Sequence, residues 1–246
     1  KSEKILNNYF SEKEVDLNNS IVHPAFINSH HHLASHIIRC WIPDHFGTFD
    51  LWDLVEEKFF KSLNPEIEYL STALACTEML LSGTTAFMDI GVGFSIESQM
   101  AAIEDIGIRG IVSRRIEDGD TVFSMPTKKC LSVLEEDLKE YGYKPGRKTW
   151  CVGTVYGIDV CSNELMSAAK KLADKYNTIM SAHSNFSEPD IEIVMKKNNG
   201  KRPIEVYDEI GILNSQTTLT HLNCLSDKEL ELVLNSNISG VHCPEI

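Results

Sequence analysis

Phe26-Ile27-Asn28-Ser29-His30-His31-His32 is an apolar run that closes on three consecutive histidines. Along a strand, residues two apart face the same side. His30 and His32 are therefore expected to project together, with His31 on the opposite face. Two neutral imidazoles side by side at a strand end make half of a metal site, because imidazole is a ligand for zinc and iron. The plainer alternative is a histidine-rich turn. An affinity tag is argued against by the internal position, directly after Pro24-Ala25.

Outward from this run, short apolar segments alternate with helical patterns, the mark of βα units and a parallel sheet. Strands are expected at 25–30, 85–90, 109–113, 151–155, 178–183, 217–221 and 238–242. Leu70, Ala73, Leu74, Thr77, Leu80 and Leu81 recur at helical spacing before Gly83, and Leu165, Ala168, Ala169, Leu172 and Ala173 repeat the pattern. Ser226-Asp227-Lys228-Glu229 reads as a capping box. Seven strands are one short of a closed (β/α)8 barrel. The expectation is thus an α/β TIM-type barrel over 23–246, stopping before its eighth strand. Residues 1–22 are expected to be the remnant of an N-terminal β-sandwich, with Glu14-Val15-Asp16-Leu17 as a strand.

The other histidines sharpen the metal reading. His183, His221 and His242 close the fifth, sixth and seventh expected strands. In a parallel barrel all strand C-termini open on one face, where active sites are built, so these rings should meet His30 and His32 there. His23, His36 and His45 read as structural or exposed, with a loop over the site as the alternative for His45. Asp89 closes the second strand, either as an orienter of a ligand histidine or as a structural hydrogen-bond acceptor.

The bulk properties restrict the partners. A net charge of −13 over 246 residues, with no basic stripe, argues against nucleic acid or an anionic membrane. No apolar run approaches bilayer length. Seven dispersed cysteines without a CxxC pair read as reduced core residues of a cytoplasmic protein. Glu135-Glu136-Asp137 beside Lys139 reads as a solvated helix face.

The motifs together resemble the metal-dependent amidohydrolase superfamily, in its branch of aminohydrolases and chlorohydrolases acting on heterocycles. The resemblance rests on residues 24–32 with Arg39, on Trp52, on Gly83-Thr84-Thr85-Ala86-Phe87-Met88-Asp89, and on Gly200-Lys201-Arg202-Pro203-Ile204-Glu205 with Leu213. It is completed by Leu219-Thr220-His221 and Val241-His242-Cys243-Pro244. It implies a barrel with one divalent metal, zinc or alternatively iron, held by His30, His32 and His183. His221 would then orient the attacking water, and a homodimer acting on a small molecule would be the working form. Three neutral imidazoles leave the cation's charge largely intact, so it can activate water near neutral pH for attack on a ring carbon bearing an amino group. No lysine stands near Thr154-Val155-Tyr156-Gly157 to bridge a second metal.

Three positions depart from the family pattern. The sequence stops before the strand-eight aspartate that serves there as ligand and proton shuttle. Phe186 stands where a glutamate is usual, leaving Glu188 as the candidate acid/base, or else as a solvated loop carboxylate. Tyr156 stands where a substrate-binding histidine is common. Tyr156, Phe186 and Arg114 are the expected substrate contacts, with one of Arg114 and Arg115 facing the pocket and Asp118 as a partner for the other. The competing reading is a catalytically silent relative that binds a metal or ligand as a scaffold.

Overall fold

The computed structural model describes residues 12, 13, 15–41 and 57–244; the expectations for Glu14, His45 and Trp52 fall outside them. All strand pairings within its two sheets are parallel. β1 (Phe26–His31), β2 (Thr84–Asp89), β3 (Arg109–Val112) and β4 (Thr149–Cys151) form one sheet in that order, and β5 (Gly153–Gly157), β6 (Met180–Ser184), β7 (Thr217–His221) and β8 (Ser239–His242) form the other. The expected seven strands are all present. The fourth is broken: β4 and β5 are one extended run interrupted at Val152, with β4 paired to β3 and β5 paired to β6. One polypeptide segment therefore belongs to both sheets.

Helices fill the crossovers: α1 (Glu57–Ser62), α2 (Pro65–Leu81), α3 (Ile96–Ile106), α4 (Thr127–Tyr141), α5 (Asn163–Lys175), α6 (Glu188–Lys197), α7 (Pro203–Glu209) and α8 (Asp227–Ser236). A 3-10 helix, Leu33–Ile38, follows β1. The boundaries have local causes. Asn64 caps α2, its Oδ1 accepting from the N–H groups of Glu66 and Ile67 at 3.0 Å, with Pro65 at the first helical position. Gly83, at φ +85°, reverses the chain into β2. The capping box expected at Ser226 opens α8.

Two apolar clusters sit under the two sheets. Leu33, Ala75, Met79, Phe87, Ile103, Val112 and Cys151 belong to the first; Val155, Leu165, Met180, Ile204, Tyr207 and Leu219 belong to the second. The chain passes from one to the other across Val152. β5, β6 and β7 are buried throughout, whereas β1 and β8 are largely exposed. Among the described residues β1 and β8 do not pair; a cleft of about 370 Å³ lined by residues 27–30 and 240–243 separates them.

Two expectations are corrected here. Residues 15–25 form turn and coil, not a strand. Val15, Leu17, Ile21 and Val22 are exposed, and no described strand lies beside them to satisfy an extended backbone. The acidic triplet on α4 is not wholly solvated either, because Asp137 is buried against Arg114. Of the cysteines, Cys76, Cys130, Cys151 and Cys161 are buried as expected, while Cys40 is exposed and Cys224 and Cys243 are half-buried.

Candidate metal centre

Parallel pairing brings the strand ends to one face, and four imidazoles meet there. The rings of His30 and His32 lie 4.6 Å apart, and each is 5.2 Å from His183; His221 is 5.0 Å from His30 and 5.3 Å from His183. One ligand atom from each of His30, His32 and His183 lies within 4.8 Å of the others. His31 turns the other way, onto His36, whose Nε2 pairs with Glu78 at 2.8 Å. Arg39 binds the same carboxylate. His242 does not join the cluster: it is exposed, and its Nδ1 lies 3.3 Å from the His221 carbonyl.

Burial sets the electrostatics. It lowers the pKa of His30 to about 3, helped by neighbouring imidazoles, and that of His221 to about 4. Burial and neighbouring imidazoles also hold His32 and His183 well below the usual range. All four are therefore neutral at pH 7, the form that binds a cation. Nδ1 of His30, His32 and His221 and Nε2 of His183 are buried without a hydrogen-bond partner. Each orphan costs about 1–3 kcal/mol, and each of the four converging rings carries one, as does His31 outside the cluster through its Nε2; a cation among the four rings would offer their free nitrogens a partner.

The surroundings fix these rings. The Tyr156 carbonyl lies 2.7 Å from His183 Nδ1. A carbonyl only accepts, so Nδ1 carries the proton and the Nε2 lone pair faces the cluster. The Tyr207 hydroxyl, wholly buried on α7, donates to the His183 carbonyl at 3.0 Å and accepts from the Ile158 N–H at 3.3 Å, tying the ends of β5 and β6 together. Gly157 has no room for a Cβ, which would sit 2.5 Å from Asp159 Oδ1 and 3.2 Å from the His183 carbonyl. His221 itself sits at φ +83° and Leu222 at φ +53°. That left-handed turn, costly for a residue with a Cβ, is held by Leu222 N–H donating to the Ser184 carbonyl at 3.1 Å. Asp89, whose pKa burial pushes up to about 7, accepts the Leu33 N–H at 2.7 Å and so anchors the chain just past His32.

The expected substrate residues divide. The Tyr156 ring packs 4.7 Å from His183, and the Phe186 ring meets His221 edge-on at 4.7 Å. Arg114 is turned to the helix layer, where it grips Asp137 through Nε and Nη2, both at 3.0 Å. Arg115 is the arginine on the site side. It pairs with buried Glu117 at 3.2 Å and stacks over Phe123 and Tyr156 at 4.4 and 4.5 Å. Asp118 serves neither arginine; it accepts from Ser162 and Thr127. Glu188 is two-thirds exposed at the start of α6, 3.9 Å from Arg202.

One anchor was not read from sequence. Glu229 of the α8 capping box is fully buried and also binds Arg202 Nε at 2.6 Å and Asn185 Nδ2 at 2.9 Å, clamping the loop that carries Phe186. The visible signal was Arg202 in the 200–205 motif. Tyr207 and the Tyr156 carbonyl left no such signal, since one is a helix residue among apolar neighbours and the other is backbone.

The chain is similar to known proteins in sequence and fold. A 5-methylthioadenosine/S-adenosylhomocysteine deaminase of Thermodesulfovibrio yellowstonii is 32% identical over 235 residues, covering 92% of this chain and 50% of the relative. A 5'-deoxyadenosine deaminase of Methanosphaera stadtmanae is 29% identical over 236 residues, covering 95% and 54%. The chain thus spans about half the length of the curated relatives it matches. A guanine deaminase from C. acetobutylicum with bound guanine superposes with a TM-score of 0.83 at 22% identity, covering 95% of this chain and 57% of that one. A zinc-bound adenosine deaminase from Xanthomonas campestris does so at 0.79 and 22%, covering 90% and 49%. These structural likenesses speak for a TIM-barrel-like α/β fold. The profile of the Amidohydrolase family matches residues 21–246, and the chain belongs to that family.

Proposed function

We propose that this chain carries the metal centre of a hydrolase that releases ammonia from an aminated heterocycle, with a purine nucleoside as the first substrate class to test. The observation that carries the reading is the convergence of four imidazole rings, with one ligand atom each of His30, His32 and His183 within 4.8 Å of the others. The seven strand positions are read as part of a (β/α)8 barrel whose remaining place is the cleft between β1 and β8. The deaminases of 5-methylthioadenosine/S-adenosylhomocysteine, 5'-deoxyadenosine and guanine among the relatives support the substrate class, while triazine hydrolases among the similar structures keep triazines on the panel.

In this reading His30, His32 and His183 hold one divalent cation, zinc before iron. When bound, the cation supplies Lewis acidity and activates water near neutral pH. His221, neutral and turned into the site by its strained backbone, accepts a hydrogen bond from the attacking water and orients it. Phe186 offers an apolar ring beside His221 on which a heterocycle can stack, and Tyr156 forms the wall behind His183. Arg114 has a structural role through Asp137. Glu188, exposed and facing Arg202, fits a rim carboxylate rather than a proton shuttle.

The test is ammonia release across aminated purines, pyrimidines and triazines, with metal analysis of the same preparations. His221→Ala should keep the metal and lose turnover. Ammonia release unaffected by His221→Ala would overturn the reading. The apolar Phe186 favours the silent-relative alternative, which requires bound metal and no turnover on any member of the panel.

A further inference from the structure

We propose that His30, His221 and Cys243 form a second cation seat, selective for thiophilic ions, that shares His30 with the His30–His32–His183 set but does not use His32 or His183. This goes beyond the function proposed above, which gives Cys243 no part. One ligand atom from each of the three lies within 4.8 Å of the other two. The seat is assembled by register: His221 pairs with His242 across β7 and β8, and Cys243 is the next residue along. His221 is 7% exposed and its Nδ1 has no hydrogen-bond partner. Cys243 is a free, half-buried thiol. The cleft between β1 and β8 is lined by both His30 and Cys243, which gives an ion a way in from solvent.

The donor set differs from the three-imidazole site in kind. Thiolate sulfur is soft and favours zinc, copper(I) and their heavier congeners over magnesium or calcium. As the sulfur–metal bond forms, the S–H proton leaves to solvent, because a coordinating thiol is held deprotonated. Two imidazoles and one thiolate fill three positions of a tetrahedral ion and leave the fourth to water. The seat also draws on His30, whose neutral ring has one lone pair and so serves one of the two sets at a time, and on the ring that the proposed function uses to orient water. An ion bound there withdraws His221 from that task, so excess thiophilic metal should silence the site.

The test is a cadmium titration of the full chain, followed by the ultraviolet thiolate-to-cadmium charge-transfer absorption. Wild type should develop a band that saturates at one ion per chain. His183→Ala, which removes a ligand of the first site only, should keep it. Cys243→Ser and Cys243→Ala should lose it while binding zinc at the first site as wild type does, and circular dichroism should show both variants folded. A band of undiminished size in both Cys243 variants, or no band in wild type, overturns the seat. Loss of the band in a folded His183→Ala protein overturns its independence of His183. If the three-histidine reading fails instead, zinc binding is unchanged in His183→Ala, an outcome the cadmium band does not mimic.

Discussion

Acid should unfold the metal-free protein steeply, and the histidine cluster sets the slope. His30, His31, His32, His183 and His221 are held neutral in the fold by burial, His30 to about 3 and His31 and His221 to about 4, the other two well below their usual range. Released by unfolding, each takes a proton below about pH 6.5. The unfolded state then binds more protons, so stability falls as pH falls, by about 1.4 kcal/mol per pH unit for each imidazole. Two buried carboxylates oppose this. Burial raises Asp89 to about 7 and Asp159 to about 6, so they hold a proton in the fold that they lose on unfolding. Five imidazoles against two carboxylates leave about three protons, or about 4 kcal/mol per pH unit around pH 5. Glu68, Asp137 and Asp190, also raised by burial, trim the figure. A domain with about 5–15 kcal/mol to lose is spent within about one to four pH units. Urea denaturation at half-unit steps from pH 7 to 4.5 measures the slope, and His183→Gln should reduce it by about 1.4 kcal/mol per pH unit. A wild-type slope no greater than that of one imidazole, or an unchanged slope in His183→Gln, would refute the reasoning.

Other outcomes follow from the same geometry. His221→Gly should be more stable than His221→Ala by about 1 kcal/mol, since the two differ in whether a Cβ must sit at φ +83°; equal midpoints in chemical denaturation would count against strain at that turn. Glu229→Ala strips a buried partner from Arg202 and Asn185 and should cost about 3 kcal/mol, and a loss under 1 kcal/mol would mean the clamp is idle. Glu188→Gln should leave turnover within about twofold, and a hundredfold fall would return Glu188 to the catalytic list. Chelation should lower the melting temperature, and added zinc should raise it again with a dependence on zinc concentration; a melting temperature indifferent to both would argue against a folded-state metal.

Much of the architecture was legible because periodicity and chemistry agreed. Thr217–His221 was read to its ends, since five residues bounded by turn signals and closing on a histidine have few other homes. The two-residue alternation at 30–32 gave the shared face of His30 and His32 and the opposite face of His31. Sequence did not reveal the break at Val152, because it arises where one run must pair with strands of two sheets. Nor could it say which of two adjacent arginines faced the site: Asp137, placed a helix away, drew Arg114 outward and left Arg115 to the aromatic rings. His242 closed its strand as read, but it lies on the exposed edge strand and turns outward. The tautomer of His183 depended on a backbone carbonyl, a group that no side-chain pattern encodes.

The central claim is that rings from opposite sheets share one cation, and zinc titration by calorimetry tests it most directly. Wild type should bind one equivalent tightly, and His183→Ala should lose that tight binding, keeping at most a weaker, thiol-dependent one, while its circular dichroism stays native. Undiminished tight binding in His183→Ala would contradict the account.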